Sequence, residues 1–310
     1  TIIEPPMAFL AVVFAVGQRG PLPTVRAIAL PAALAAGVAL ALVVLDPDRF
    51  RGDGVPRAVG PYLHPNSLAL YLERAGVLMA AAMILGGIQV TRATAVMLAV
   101  IATGGAATFS RGFLPAVAAG ILLAAYLARK KRIAVATLTA LLLSSVAFAI
   151  VVSDRFFGGV GDSFFGARKY VWEASIDMVR DYPVSGIGLD QFLYHHAPRY
   201  IAPEAWSERY LSHPHNLLLD VWLSLGVPGL LILATALYLL VHRVWSWHRA
   251  TAPAPAIAGA AAAALVTGLV HGLVDNAYFL PDLAAMTWIL AALVLMSDSH
   301  LHPRSENVSR

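Results

Sequence analysis

Residues 216–245 read NLLLDVWLSLGVPGLLILATALYLLVHRVW, a run whose only acid is Asp220 and only arginine is Arg243. Coiled as one α-helix, it extends about 45 Å, more than the roughly 30 Å hydrocarbon core of a bilayer. Gly226, Pro228 and Gly229 interrupt it. Glycine and proline weaken a helix interior. The run therefore predicts a membrane helix broken near 226–229, with a half-helix whose N-terminus faces outward. Asn216 is a good N-cap for that half-helix, and the free N–H groups of a helix start attract anions.

The same apolar character extends through the chain. With 216–241 taken as one span, further candidates lie at 7–17, 27–45, 67–88, 93–109, 112–128, 133–153, 257–274 and 283–296. The first is short for a span. The 310 residues are 59% hydrophobic and 13% charged, with a mean hydropathy of +0.71; soluble domains carry about 25% charged residues. An ordinary soluble enzyme, a disordered chain and a disulfide scaffold are excluded. The expectation is an all-α polytopic membrane bundle of about nine spans with a lipid bilayer as its solvent. There is no cysteine, hence no disulfide, thiolate metal site or cysteine nucleophile. The chain begins at Thr1 with no signal-peptide pattern, and upstream sequence is expected to be missing or processed.

Basic residues set the expected orientation. Alternating spans gather Arg19, Arg26, Arg92, Arg129, Lys130, Lys131, Arg132, Arg243, Arg249, Arg304 and Arg310 on one side, read as cytoplasmic; Arg49, Arg51, Arg57 and Arg111 fall on the other. The net charge of +4 is thus a topology signal, and no nucleic-acid partner is expected. The implied organisation is N-terminal transmembrane helices over 1–153, an extracytoplasmic loop domain over 154–212, C-terminal transmembrane helices over 213–298 and a cytoplasmic tail over 299–310. Loops as long as 154–212 are usually functional.

Within that loop, 168–182 (RKYVWEASIDMVRDY) reads as an amphipathic helix. Trp172, Ser175, Ile176, Val179 and Tyr182 share an apolar arc, and Pro183 ends the helix. Arg168 falls at the centre of the apolar arc. It either snorkels to water from the helix end or meets an anionic partner, because it cannot shed its charge. Gly158, Gly159 and Gly161 read as a loop, since no strand precedes them to make a phosphate cradle.

Several residues carry potential chemistry. Arg111, in Ser110-Arg111-Gly112, lies at an outer hairpin on the side that the basic bias avoids. Its plain reading is an interfacial arginine with Ser110 as N-cap; its functional reading is a ligand contact. In HPHN (213–216), His213 and His215 precede the half-helix. They either fill the interface, or the positive helix end keeps His215 a neutral imidazole able to accept a proton. HPNSLALYL at 64–72 echoes this phrase, beginning at His64. His271 and Asp275 are one turn apart, so Asp275 can orient His271 or pair with an arginine. Glu73 and Arg74 are charges inside an apolar span and need interior partners. Two fixed cations beside a neutral base suit a diphosphate leaving group, because arginine forks hold phosphate oxygens.

TFSRG (108–112), ARKYVW (167–172), DYPVSGIGLDQF (181–192), HPHNLLLDVWLSLGVPGLL (213–231), GPYLHPNSLALYLER (60–74) and the Asp275-Asn276 step together resemble the O-antigen ligase and O-antigen polymerase superfamily. The resemblance spans roughly residues 59–288. It implies an inverting, metal-independent membrane glycosyltransferase with no cofactor, working at the periplasmic or outer face of the bacterial inner membrane. The donor would be a glycan on undecaprenyl diphosphate, and the acceptor a glycan or glycolipid hydroxyl. It places the catalytic residues on Arg111, Arg168 and His215; His213, Asn216, Asp275, His64 and Arg74 are read beside them as substrate-binding candidates. Family members have more spans than are counted here, in keeping with missing upstream sequence.

A ligase and a polymerase share this chemistry and are not separated by sequence. A small-anion transporter is the rival of another class, since broken spans also mark transporters. A zinc hydrolase built on His195-His196 and His213-x-His215 lacks any accompanying HExxH or cysteine set.

Overall fold

A computed structural model describes residues 4–49, 51–52, 55–156, 168–276, 278 and 280–296. The expected tail over 299–310, with Arg304 and Arg310, and the glycines Gly158, Gly159 and Gly161 lie outside the described residues.

Each apolar run read from the sequence is a helix: α1 (Glu4–Arg19), α2 (Leu22–Leu45), α3 (Pro65–Ile84), α4 (Arg92–Ala106), α5 (Phe113–Leu127) and α6 (Lys131–Phe156). The amphipathic segment is α7 (Arg168–Asp181), followed by the short α8 (Phe192–His195), then α9 (Leu217–Arg249), α10 (Ala256–Gly272) and α11 (Pro281–Leu295). Two two-residue strands, Arg51–Gly52 and Val55–Pro56, pair antiparallel. Among the described residues, α2, α3 and α9 are long and apolar enough to cross a membrane, and α4, α5, α10 and α11 are shorter apolar helices. Large apolar side chains such as Phe14, Leu34, Val44, Leu231 and Ile232 face outward. Such a surface is disfavoured in water and is at home against lipid tails.

The chain forms two compact units. The first comprises Thr1–Thr137, Val244–Gly268 and Phe279–Arg310. In it α1 packs along α11, with Phe9 edge-on to Trp288 at 6.0 Å, and α3 packs against α2, α4 and α5. Small residues set the closest approaches: a Cβ on Gly120 would stand 2.2 Å from Thr267 Oγ1, and Ala260–Ala264 are fully buried. Without a hydrophobic drive between helices in lipid, such close packing is what joins them.

The second unit comprises Leu138–Arg243 and Leu269–Tyr278. Its core is Val171, Met178, Val179, Phe192 and Leu223, flanked by Ile187, Tyr200, Leu211 and Trp222. The buried face of α7 is therefore rotated from the arc expected of it: Val171, Ala174 and Met178 are buried, while Ile176 is 42% exposed. A helical wheel ranks residues by polarity alone. The partner surface of Phe192 and Leu223 decides which neighbouring stripe turns inward.

The break in α9 stands where the sequence places it. Gly226 has φ 65° and ψ −156°, a region essentially reserved for glycine. The interruption receives the 183–188 turn: Val227 N–H donates to Val184 O at 2.9 Å, and Ile187 N–H to Leu223 O at 2.7 Å. Trp222 Nε1 donates to Pro183 O at 2.8 Å. A Cβ on Gly226 would come within 2.0 Å of Val184 O, and one on Gly186, itself at φ 65°, within 2.4 Å of Leu223 O. The motifs DYPVSGIG and SLGVPG thus interlock backbone to backbone.

Candidate functional site

In the second unit, residues distant in sequence converge on one carboxylate. Arg168, the first residue of α7, donates from Nη2 to Asp275 Oδ2 at 3.0 Å and from Nη1 to Val274 O at 2.6 Å. His215 Nδ1 stands 2.8 Å from Asp275 Oδ1. A carboxylate only accepts, so Nδ1 carries the hydrogen and donates it; Nε2 is then the acceptor nitrogen. The Asp275 side chain is 6% exposed. Burial alone would raise its pKa, but the hydrogen bond from His215 and the nearby charges of His215, Arg168 and His271 outweigh burial and hold the carboxyl well below the usual carboxylate range. Arg168 therefore does not snorkel: its anionic partner lies 107 positions along the chain.

A surrounding frame holds these groups. Asn216 Oδ1 accepts from the N–H groups of Leu218 and Leu219, so it is the N-cap expected for α9. Its Nδ2 donates to Leu273 O at 2.9 Å. Asn276 Nδ2 donates to Asp220 Oδ2 at 2.5 Å, and both residues are buried. The two contacts flank Asp275 and clamp its loop to the first turns of α9. Trp172 Nε1 donates to Pro214 O at 2.9 Å, tying α7 to the residue before His215. His215 itself is left-handed, at φ 53°. Non-glycine residues rarely hold this conformation, and such strain clusters at functional sites. The His213 ring lies edge-on to that of His215, centroids 4.5 Å apart.

Among the described residues, His213, His215 and Asp275 form a group whose donor atoms lie within 4.8 Å of one another. In that group Asp275 Oδ1 accepts from His215 and Oδ2 from Arg168. His196 is fully buried and stacks on Phe192 at 5.1 Å, and burial lowers its pKa. It serves as a core residue.

The first unit holds the remaining candidates. Arg111 is half-buried in the hairpin before α5. The cap position before α5 is Gly112 and not Ser110; the Ser110 N–H donates to Thr108 Oγ1 at 3.2 Å. Phe109 beside it has φ 50°. Arg57 braces this hairpin, donating from Nε to Thr108 O at 2.7 Å and from Nη2 to Asn66 Oδ1 at 3.0 Å. His64 caps α3, its Nδ1 accepting from Asn66 N–H at 3.2 Å. The two echoing phrases thus both open helices, one capped by His64 and the other by Asn216. Arg74 is 5% exposed and donates to Leu70 O, Leu283 O and Thr287 Oγ1. These contacts, from Nε and Nη1, tie α3 to α11, which makes it a brace between helices.

The structure thus gathers Arg168, His213, His215, Asn216 and Asp275, while Arg111, His64 and Arg74 belong to the other unit. Asp220, Asn276, Trp172 and Arg57 are contributors that the motif reading did not assign. Asp220 had a signal: it is an acid inside an apolar span, one turn after the cap. Arg57 had another, being a cation on the side that the basic bias avoids.

Residues 94–234 match the family model described as O-Antigen ligase. No curated protein matches the chain significantly.

Proposed function

We propose, from the match of residues 94–234 to the family model described as O-Antigen ligase, that this integral membrane protein is a glycosyltransferase-like enzyme that transfers a glycan from a polyprenyl-diphosphate carrier to an acceptor hydroxyl. The observation that carries the proposal is the Asp275 carboxylate shared between Arg168 and His215.

The reaction is a direct displacement. The acceptor oxygen bonds to the anomeric carbon as the bond from that carbon to the diphosphate oxygen breaks; the diphosphate leaves with the electron pair and the configuration inverts. His215 Nε2 takes the hydroxyl proton, with Nδ1–H fixed by Asp275 so that the ring keeps the correct tautomer. Among the described residues, Arg168 uses two of its five N–H donors on Val274 and Asp275, and the remaining ones are proposed to hold the oxygens of the departing diphosphate. His213 and Asn216 line the approach. Arg111 is proposed as a second residue required for transfer, on its motif, and His64 as a helper of the same hairpin region. The chemistry asks for no metal or other cofactor, because the guanidinium supplies the positive charge. The site faces the periplasm or cell exterior of a bacterial inner membrane.

The test is transfer in vesicles from a glycan on undecaprenyl diphosphate. His215→Ala should lose turnover by about 10²–10⁴-fold, and wild-type turnover in that variant removes His215 from the mechanism. Activity should persist in EDTA. Supplying core-lipid acceptor and carrier-linked glycan separately distinguishes a ligase from a polymerase.

A further inference from the structure

The second unit carries an exposed cluster that the displacement chemistry does not use. A short 3₁₀ turn, Pro203–Glu208, is anchored by the fully buried Ala205 and presents Trp206 at 57% exposure; Tyr210, just beyond it, is 75% exposed. Arg209 is pinned between them. Its Nη1 donates to Trp206 O at 2.9 Å, and its guanidinium carbon stands 5.4 Å from the Trp206 ring centroid and 4.5 Å from that of Tyr210. The arginine thereby holds two large rings in place while most of their surface stays open.

We propose that Trp206, Arg209 and Tyr210 form a sugar-stacking subsite for the acceptor glycan, a role that rests on the transfer reaction proposed above. Three arguments lead there. Trp, Tyr and Arg are the side chains that concentrate binding energy at recognition surfaces, and here all three are preorganised before any ligand arrives. The ligand must then offer apolar C–H faces to the rings and hydroxyls to charged groups, because Glu204 and Glu208 share the turn with Arg209. A pyranose ring does both. Lipid tails do only the first, and three charges in one turn oppose burial in hydrocarbon. Finally, the cluster is close to the site along the chain. Tyr210 precedes His215 by five residues, at most about 18 Å of chain, and His213 lies between them in sequence, against the His215 ring. The donor's diphosphate is assigned to Arg168 and the acceptor's proton to His215, so the subsite on the His215 side of the chain is assigned to the acceptor.

The experiment compares wild type, Trp206→Ala, Tyr210→Ala and Trp206→Phe in vesicles, varying acceptor at saturating donor and the reverse. The alanine variants should raise the acceptor KM about tenfold, with kcat within about twofold and the donor KM unchanged; Trp206→Phe should retain most of the affinity. A second arm titrates the acceptor glycan, freed from its lipid by mild acid, into detergent-solubilised protein. It should quench a tryptophan signal that is missing in Trp206→Phe. Unchanged acceptor KM, or a loss carried by the donor KM or kcat in variants of normal thermal stability, overturns the proposal. So does quenching of Trp206 by brominated lipids in place of glycan, which would make it a membrane anchor. If wild type transfers nothing yet the free glycan still quenches Trp206, the reaction proposed above fails and the subsite stands.

Discussion

Asp275→Asn isolates the charge at the centre of the site while keeping its shape. In the wild type, two charge-assisted hydrogen bonds meet on a side chain 6% exposed: His215 to Oδ1 at 2.8 Å and Arg168 to Oδ2 at 3.0 Å. Hydrogen bonds to charged groups contribute about 1.5–3 kcal/mol against about 0.5–1.5 for neutral ones. Neutralising the acceptor therefore removes about 1–1.5 kcal/mol per bond. The amide also turns an NH₂ toward either the guanidinium or the imidazole N–H, so one of the two contacts becomes donor against donor. The pair together amounts to about 2–3 kcal/mol, equivalent to about 30- to 150-fold in rate if both groups act in the transition state. The assay is initial transfer rate from a polyprenyl-diphosphate glycan in vesicles, alongside thermal unfolding of the same preparation. Turnover within about threefold of wild type in a protein of normal stability would refute the reasoning, since catalysis would not depend on the shared carboxylate.

The same carboxyl sets a pH dependence. Its folded-state pKa lies below its ordinary value of about 3.9, so its stabilisation is fully present above about pH 4 and is lost as pH falls through the folded-state value. Thermal unfolding from pH 7 down to pH 3 should show an acid decline in wild type that is blunted in Asp275→Asn. Gly226→Ala and Gly186→Ala each put a Cβ against a carbonyl oxygen at positive φ; strain of about 1–2 kcal/mol plus overpacking of about 1–3 kcal/mol predicts a loss of about 2–5 kcal/mol in denaturant unfolding. Arg57→Lys keeps the charge but cannot reach Thr108 O and Asn66 Oδ1 together; a loss of about 1–3 kcal/mol in stability, with transfer falling as the Arg111 hairpin loosens, is expected in the paired unfolding and transfer assays.

Most of the secondary structure was legible because lipid demands long apolar runs and satisfied backbones, and both leave marks on composition. The α9 break was legible for the same reason, since Gly226 and Pro228 interrupt a run too long for one span. The site was legible only in pieces. Asn216 announced itself as a cap, and Arg168 as a charge out of place on an apolar arc. The inward face of α7 was misjudged by part of a turn, and the cap position before α5 falls on Gly112 where the plain reading put Ser110, because each depends on a neighbour that no local pattern names.

Taken alone, the amino-acid order determined the membrane-helical class, the helix positions, the interruption of α9 and the residue types available for phosphate and proton chemistry. These follow from short-range rules of hydropathy, capping and backbone freedom. Only the tertiary structure decided that Arg168 and His215 share Asp275, that Asp220 grips Asn276 beside it, and that Arg74 is a brace between helices. These pairings depend on distances between segments 56 to 213 positions apart, and no local preference encodes those distances.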